Sequence, residues 1–170
     1  TAFIVSCPCD ELARHVQELA ENILKLSTHT YANHVVQTWI ERTSRMTSDK
    51  EILDGEDLPD MHANASATSG EISLIDFCAN TIIQGIQSSL FELSMDKHGA
   101  FVVCTALRAF DRRQQCAPLV DALCTGTGML RIARTQYGCQ LLQKWSEIAS
   151  AEQLEKMSSA LSRNFAATSR

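Results

Sequence analysis

Chemistry in this chain would have to come from its seven cysteines, its five histidines and its basic side chains. Thiolates and neutral imidazoles serve as metal ligands and as nucleophile–base pairs. Their spacing here supports neither use. No C-x-x-C pair occurs, and Cys7 and Cys9, which flank Pro8, have no second pair at ligand spacing. His29, His34, His98, Cys7 and Cys9 form no metal site, and no Cys–His spacing argues for a nucleophile with its base. The G-x-S-x-G, H-E-x-x-H and phosphate-cradling Gly-loop patterns are absent. The chain therefore reads as a non-enzyme without metal or cofactor. An odd number of thiols at irregular spacing reads as reduced, buried cysteine, which suits the cytosol or nucleus. Arg108, Arg112, Arg113, Arg131, Arg134 and Lys144 are candidates for positioning phosphate groups, the alternative being a solvated charged surface.

The formal net charge of −5 is concentrated in one place. Between 47 and 70, six acids face Lys50 alone, whereas 97–170 holds ten Lys and Arg against five Asp and Glu. An acidic insert beside a mildly basic half leaves nucleic acid open as a partner. Only 7 Gly and 3 Pro exclude a collagen-like chain, and a 45% hydrophobic content argues against wholesale disorder. No run of roughly 18 apolar residues occurs, so no membrane span is expected. The chain starts at Thr1 with no signal-peptide pattern and is expected to be a segment of a longer protein.

The elements that must position these groups follow from apolar residues spaced three and four apart. Leu12, Val16, Leu19, Ile23 and Leu26 predict a helix over 10–27, with Asp10 as its N-cap. Val35, Val36, Trp39 and Ile40 form the apolar face of a second helix over 31–46, an antiparallel neighbour of the first. Residues 47–70 lack periodicity, carry Pro59, and are expected to form a flexible loop. Further helices are predicted over 72–93, 98–111, 112–124, 129–133, 137–148 and 151–161. Gly126 and Gly128 are expected to break the run after 124. Trp39 and Trp145 fall on apolar faces and are expected in the core. Strand alternation is absent, and the fold class is all-α.

Three segments align without gaps. They are Leu26-Ser27-Thr28-His29-Thr30-Tyr31-Ala32-Asn33-His34-Val35-Val36-Gln37, Leu93-Ser94-Met95-Asp96-Lys97-His98-Gly99-Ala100-Phe101-Val102-Val103-Cys104 and Ile132-Ala133-Arg134-Thr135-Gln136-Tyr137-Gly138-Cys139-Gln140-Leu141-Leu142-Gln143. Each ends one helix on an apolar and a small residue, crosses a polar turn, and opens the next helix with a ring, a small residue and an aliphatic pair. Tyr31 and His98 lie 67 residues apart and His98 and Tyr137 39; without the 24 residues of 47–70 the first interval is 43. A period near 40 belongs to helical-repeat solenoids.

The strings opening at Tyr31 and Tyr137 resemble Pumilio-type (PUF) repeats, and the resemblance covers 10–148 less the insert. It implies an α-solenoid, an α-α superhelix of PUF repeats. The array would be partial, with repeats near 10–46, 71–111 and 112–149, a further one starting at 150–170, and the acidic insert at 47–70. It also implies that each second helix lines a concave face meeting single-stranded RNA, about one base per repeat. On the family pattern, Asn33 and Gln37 would read a base edge with His34 stacking on the ring, a set that looks like a uracil reader. Cys139 and Gln143 would read an edge with Gln140 at the stacking position, a set that looks like an adenine reader. Ala100 and Cys104 occupy the edge positions of the middle repeat without a good hydrogen-bonding pair, leaving Phe101 to stack. Positions i, i+1 and i+4 share one helical face, so each triplet can meet one base. Tyr31, His98 and Tyr137 would brace the turns, and Arg108, Arg131, Arg134 and Lys144 would hold the RNA backbone.

The insert and the poor middle triplet point to the nucleolar ribosome-assembly branch of the family, with a ribosomal RNA precursor as partner. The alternatives are a cytoplasmic regulator reading messenger 3' untranslated regions and a protein-binding scaffold. A protein partner would dock on the convex face or on the acidic insert.

Overall fold

A computed structural model of the chain describes residues 9–48, 66–111 and 115–168. Cys7, Arg112, Arg113 and most of the expected loop lie outside the described residues. Ten helices are described: α1 (Cys9–Glu21), α2 (Ile23–Thr28), α3 (Ala32–Ser48), α4 (Ser66–Ser88), α5 (Leu90–Met95), α6 (Gly99–Ala109), α7 (Ala117–Cys124), α8 (Gly128–Ala133), α9 (Gln136–Ile148) and α10 (Ala151–Thr168). No strand occurs among the described residues. Asp10 lies inside α1, which is already helical at Cys9, so it is not the N-cap. Helix α4 is described from Ser66, so the helix takes in part of the stretch expected as loop.

The helices form three units of three, α1–α3, α4–α6 and α7–α9, followed by α10. First helices pack in one row, α1 on α4, α4 on α7 and α7 on α10. The six-residue helices α2, α5 and α8 form a middle row, and the second helices α3, α6 and α9 form the opposite one. This is a solenoid in which each unit buries its apolar side against its neighbours. One continuous apolar cluster runs through it, from Val16 in α1 to Ala160 in α10.

Each unit breaks its first helix, the first two at a single polar residue and the third over Thr125, Gly126 and Thr127, with Gly126 at φ 57. Asn22, Ser89 and Thr127 adopt φ/ψ of −103/14, −121/20 and −91/7, in the sparsely allowed bridge region. Periodicity hid the first two breaks, since Leu19, Ile23 and Leu26, and likewise Ile86, Leu90 and Leu93, keep the three-and-four spacing straight through them. The expected single helices 10–27 and 72–93 are therefore each two helices.

The turn into the second helix is built alike in all three units. His29, Asp96 and Thr135 are extended, with φ/ψ of −79/136, −87/149 and −106/148. Each accepts from the backbone N–H three residues on: His29 Nδ1 from Ala32 at 3.2 Å, Asp96 Oδ1 from Gly99 at 2.8 Å and Thr135 Oγ1 from Gly138 at 3.2 Å. These side chains satisfy helix-opening donors that have no intrahelical partner. The small residue after the cap fits a close approach. A Cβ on Gly99 would stand 2.6 Å from the Leu93 carbonyl oxygen, and one on Gly138 would collide with that of Ile132.

Trp145 is 1% exposed and satisfies its indole by donating to Gln153 of α10 at 3.3 Å. Gln153 in turn donates to Asp111 at 2.7 Å, so one amide ties α10 to two units. Two apolar expectations need correction. Trp39 is only half-buried, and Val35 is 56% exposed. Val102 and Leu141, at the same position in the units that have a preceding unit against them, are 0% and 1% exposed. Among the described residues α3 has no such neighbour on that side, which leaves Val35 uncovered.

Two substitutions test this architecture. Gly138→Ala should destabilise the chain by about 1–3 kcal/mol through overpacking, measured by urea unfolding. Ser27 is fully buried, and its Oγ has no hydrogen-bond partner among the described residues, whereas the aligned Ser94 donates to the Leu90 carbonyl at 2.6 Å. Ser27→Ala should therefore raise the unfolding free energy, by about 1 kcal/mol, while Ser94→Ala should not raise it.

Candidate nucleic-acid interface

Helices α3, α6 and α9 lie side by side and present their expected reading positions in register. The stacking positions form an exposed row of His34, Phe101 and Gln140, with Phe101 45% exposed. One helical turn further on stand Gln37 and Cys104, both half-buried, and Gln143, which is exposed. The first edge positions differ sharply. Cys139 is exposed, Ala100 is 8% exposed and Asn33 only 2%. Asn33 therefore does not occupy the open position expected of a base reader. Its side-chain NH2 donates to the carbonyls of His29 and Thr30, both at 2.8 Å, and holds the turn.

The turn explains a second feature. Tyr31 is 78% exposed, 6.1 Å from the His29 ring between centroids, whereas His98 and Tyr137 are half-buried. The imidazole of His29 accepts from the N–H of both Tyr31 and Ala32, as Asp96 Oδ1 does from His98 and Gly99. The cap residues His29, Asp96 and Thr135 share no chemical class, and only their offset from the following small residue marks them in the sequence.

The basic candidates do not form one patch. Lys144 of α9 reaches over the Phe101 ring of α6, with Nζ 4.5 Å from its centroid. This is a cation–π contact across two units, and it places an ammonium beside the stacking row. Arg108 bonds Glu41 of the preceding unit at 3.0 Å. Glu41, Arg108 and Glu147 share one register position, so charges alternate in sign along the row. Arg131 sits on α8 over the Phe91 ring at 5.9 Å, and exposed Arg134 follows in the turn, so both lie at the opening end of the second helices. On the first-helix row, a groove of about 700 Å³ between α7 and α10 contains Asp121, Glu152, Glu155, Lys156 and Arg163. Lys156 there bonds Asp121 and Glu152 at 3.3 and 3.4 Å.

Four of the five described thiols are buried or half-buried, and Cys139 is exposed. Cys78, Cys104, Cys116, Cys124 and Cys139 are all free, and no group of three metal-ligating side chains occurs among the described residues. Burial raises the thiols of Cys78, Cys104 and Cys124 above their ordinary value. At Cys104 burial outweighs the opposing pull of Lys144 and Arg108. Burial, reinforced by the neighbouring Asp111 carboxylate, pushes Cys116 up to about 11. These groups stay neutral at pH 7 and are poor nucleophiles.

The fold and the row of second helices define the class: a helical-repeat solenoid of the Pumilio type. The family model described as "NOP9-like PUF repeat domain" matches residues 3–118, and one described as "Pumilio-family RNA binding repeat" matches 129–161. The chain belongs to the NOP9-like PUF repeat family. Among solved structures it is similar to the RNA-binding domain of yeast Puf5p bound to SMX2 RNA, with a TM-score of 0.58 and 17% identity over 92% of this chain and 36% of that one. The same domain bound to AAT2 RNA and to MFA2 RNA matches equally in TM-score and identity, covering 36% and 35% of those chains. The chain thus spans about a third of the length of those domains. At this identity the likeness is one of fold. No curated protein matches.

The Cys116 thiol makes a pH prediction. Its folded-state value lies above the ordinary value of 9.0, so the folded state holds this proton more tightly. The associated stability is present below pH 9 and is lost as pH rises from about 9 to about 11. Urea midpoints across that window should fall, and Cys116→Ala should flatten the decline.

Proposed function

We propose that this chain binds single-stranded RNA through the face formed by α3, α6 and α9, as part of a larger PUF array working in ribosomal RNA processing in the nucleolus. The observation that carries the RNA reading is the exposed row of His34, Phe101 and Gln140, in register on three adjacent helices, with Gln37, Cys104 and Gln143 one turn away. A flat or aromatic platform at each step accepts a base face, and a polar group one turn further reaches its edge. The relatives speak for the same partner: the matched Puf5p domains are RNA-bound. The NOP9-like match favours the ribosome-assembly branch over a regulator of messenger RNA.

The three steps are unequal. His34 with Gln37 selects a base by edge contact. Phe101 stacks with no edge pair beside it, since Ala100 has no polar side chain and Cys104 is a neutral, half-buried thiol. Gln140 is a weak platform, flanked by the exposed edge groups Cys139 and Gln143. Lys144 supplies charge beside the middle step. Arg108 supplies less, because Glu41 already neutralises part of it. Recognition therefore combines a few base contacts with backbone attraction. No enzymatic step is assigned to this face.

Fluorescence anisotropy with short single-stranded RNAs at two salt concentrations tests this. Binding should weaken as salt rises, and Lys144→Gln should reduce the salt slope by roughly one unit. Phe101→Ala should cost about 1–3 kcal/mol of affinity with little dependence on sequence. Absence of binding at both salt concentrations would sink the RNA reading and favour a protein-binding scaffold.

A further inference from the structure

Asn33 and Gln37 are not two independent readers; they are consecutive links in one hydrogen-bonded chain. Asn33 Nδ2 donates to the carbonyls of His29 and Thr30. Carbonyls only accept, so the NH2 end of Asn33 must face the turn and its Oδ1 must face away from it. Gln37 meets that oxygen with Nε2 at 2.9 Å, which only its NH2 end can do. The Gln37 Oε1 is thereby directed to the other side, where it accepts from Thr105 Oγ1 of the next unit at 3.3 Å. Two backbone carbonyls, acting through Asn33, fix which end of the Gln37 amide is donor, and the Thr105 hydroxyl holds the acceptor end in place.

Thr105 had another partner open to it. Thr38, at the same register position one unit earlier, donates to the His34 carbonyl of its own helix at 2.8 Å. Thr105 is 6% exposed and reaches across the seam instead. Neither other unit can build such a chain, since Ala100 and Cys104 carry no amide and Cys139 replaces Asn33 before Gln143.

We propose that Thr105 is a positioning residue for the nucleotide met by the first unit, acting through Gln37. This rests on the RNA reading of the face. With both neighbours bonded, Gln37 keeps one N–H and one Oε1 lone pair in a fixed order. A base in a fixed pose fits when it sets a carbonyl against the N–H and an N–H against the oxygen, as uracil does with a carbonyl beside N3–H. Without the Thr105 bond the amide keeps the order that Asn33 sets, but its Oε1 end is no longer held in place and meets the base less uniformly.

The test uses the full chain with Thr105→Val, Thr105→Ala and Thr105→Ser. In the free protein, the side-chain NH2 resonances of Gln37 in ¹⁵N spectra should shift or broaden in the Val and Ala variants and return in the Ser variant. With single-stranded RNAs differing at one nucleotide, the wild type should favour one base at one position. The Val and Ala variants should lose roughly two- to tenfold of that preference, with unchanged affinity for RNA abasic at that position, and Ser should retain it. Unaltered Gln37 resonances together with unaltered base preference would overturn the relay. Altered resonances with unaltered preference would overturn the positioning role. A wild type with the expected Gln37 behaviour but no RNA binding would overturn the RNA reading, and with it this proposal, while leaving the hydrogen-bond chain in place.

Discussion

A second helix can turn back along its unit only if its opening residues come within contact distance of the carbonyl that ends the short helix. That approach is the constraint on which the solenoid depends. It is met by a small residue, Ala32, Gly99 or Gly138, and by a cap three residues earlier that satisfies the N–H the turn would otherwise strand. The cap atom can be an imidazole nitrogen, a carboxylate or a hydroxyl, because the turn needs only an acceptor at that place. Once the turn is set, the second residue of the aliphatic pair, Val36, Val103 or Leu142, faces the core and the residue before the pair, His34, Phe101 or Gln140, faces outward. Every later feature of the candidate interface, from the row of His34, Phe101 and Gln140 to the cross-unit bond of Gln37, inherits its placement from that geometry.

Much of this was legible in the residues. The three-and-four spacing marks the helices, and the aligned strings mark where each second helix begins, because apolar periodicity and small residues at a close approach are local requirements. The breaks at Asn22 and Ser89 were not legible, since the apolar stripe continues through them and the residues involved are ordinary polar ones. The exposure of Val35 was not legible either. Val35, Val102 and Leu141 are interchangeable as letters and differ only in whether another unit stands beside them.

The candidate site was legible to a different degree. The repeat register locates the outward positions, and His34, Phe101, Gln140 and Gln143 are indeed exposed. Register says nothing of where an amide turns its two ends. Asn33 is drawn inward by two carbonyls of its own turn, and Thr105, an unremarkable residue in the string, becomes the partner of Gln37 because the neighbouring unit sets it there. The alternation of Glu41, Arg108 and Glu147 belongs to the same kind: three side chains distant in the chain that make one line of charge only after stacking.

The contrast between Val35 and its two counterparts also bears on how the array comes apart. Burial in the second-helix row is a property of the seams between units, so the free energy of this row behaves as a one-dimensional lattice of nearest-neighbour terms. Among the described residues, opening the middle unit severs two seams of that row and opening the first severs one. Among the described residues, the stretch holding Phe101 is therefore held by a seam on each side and that holding His34 by one.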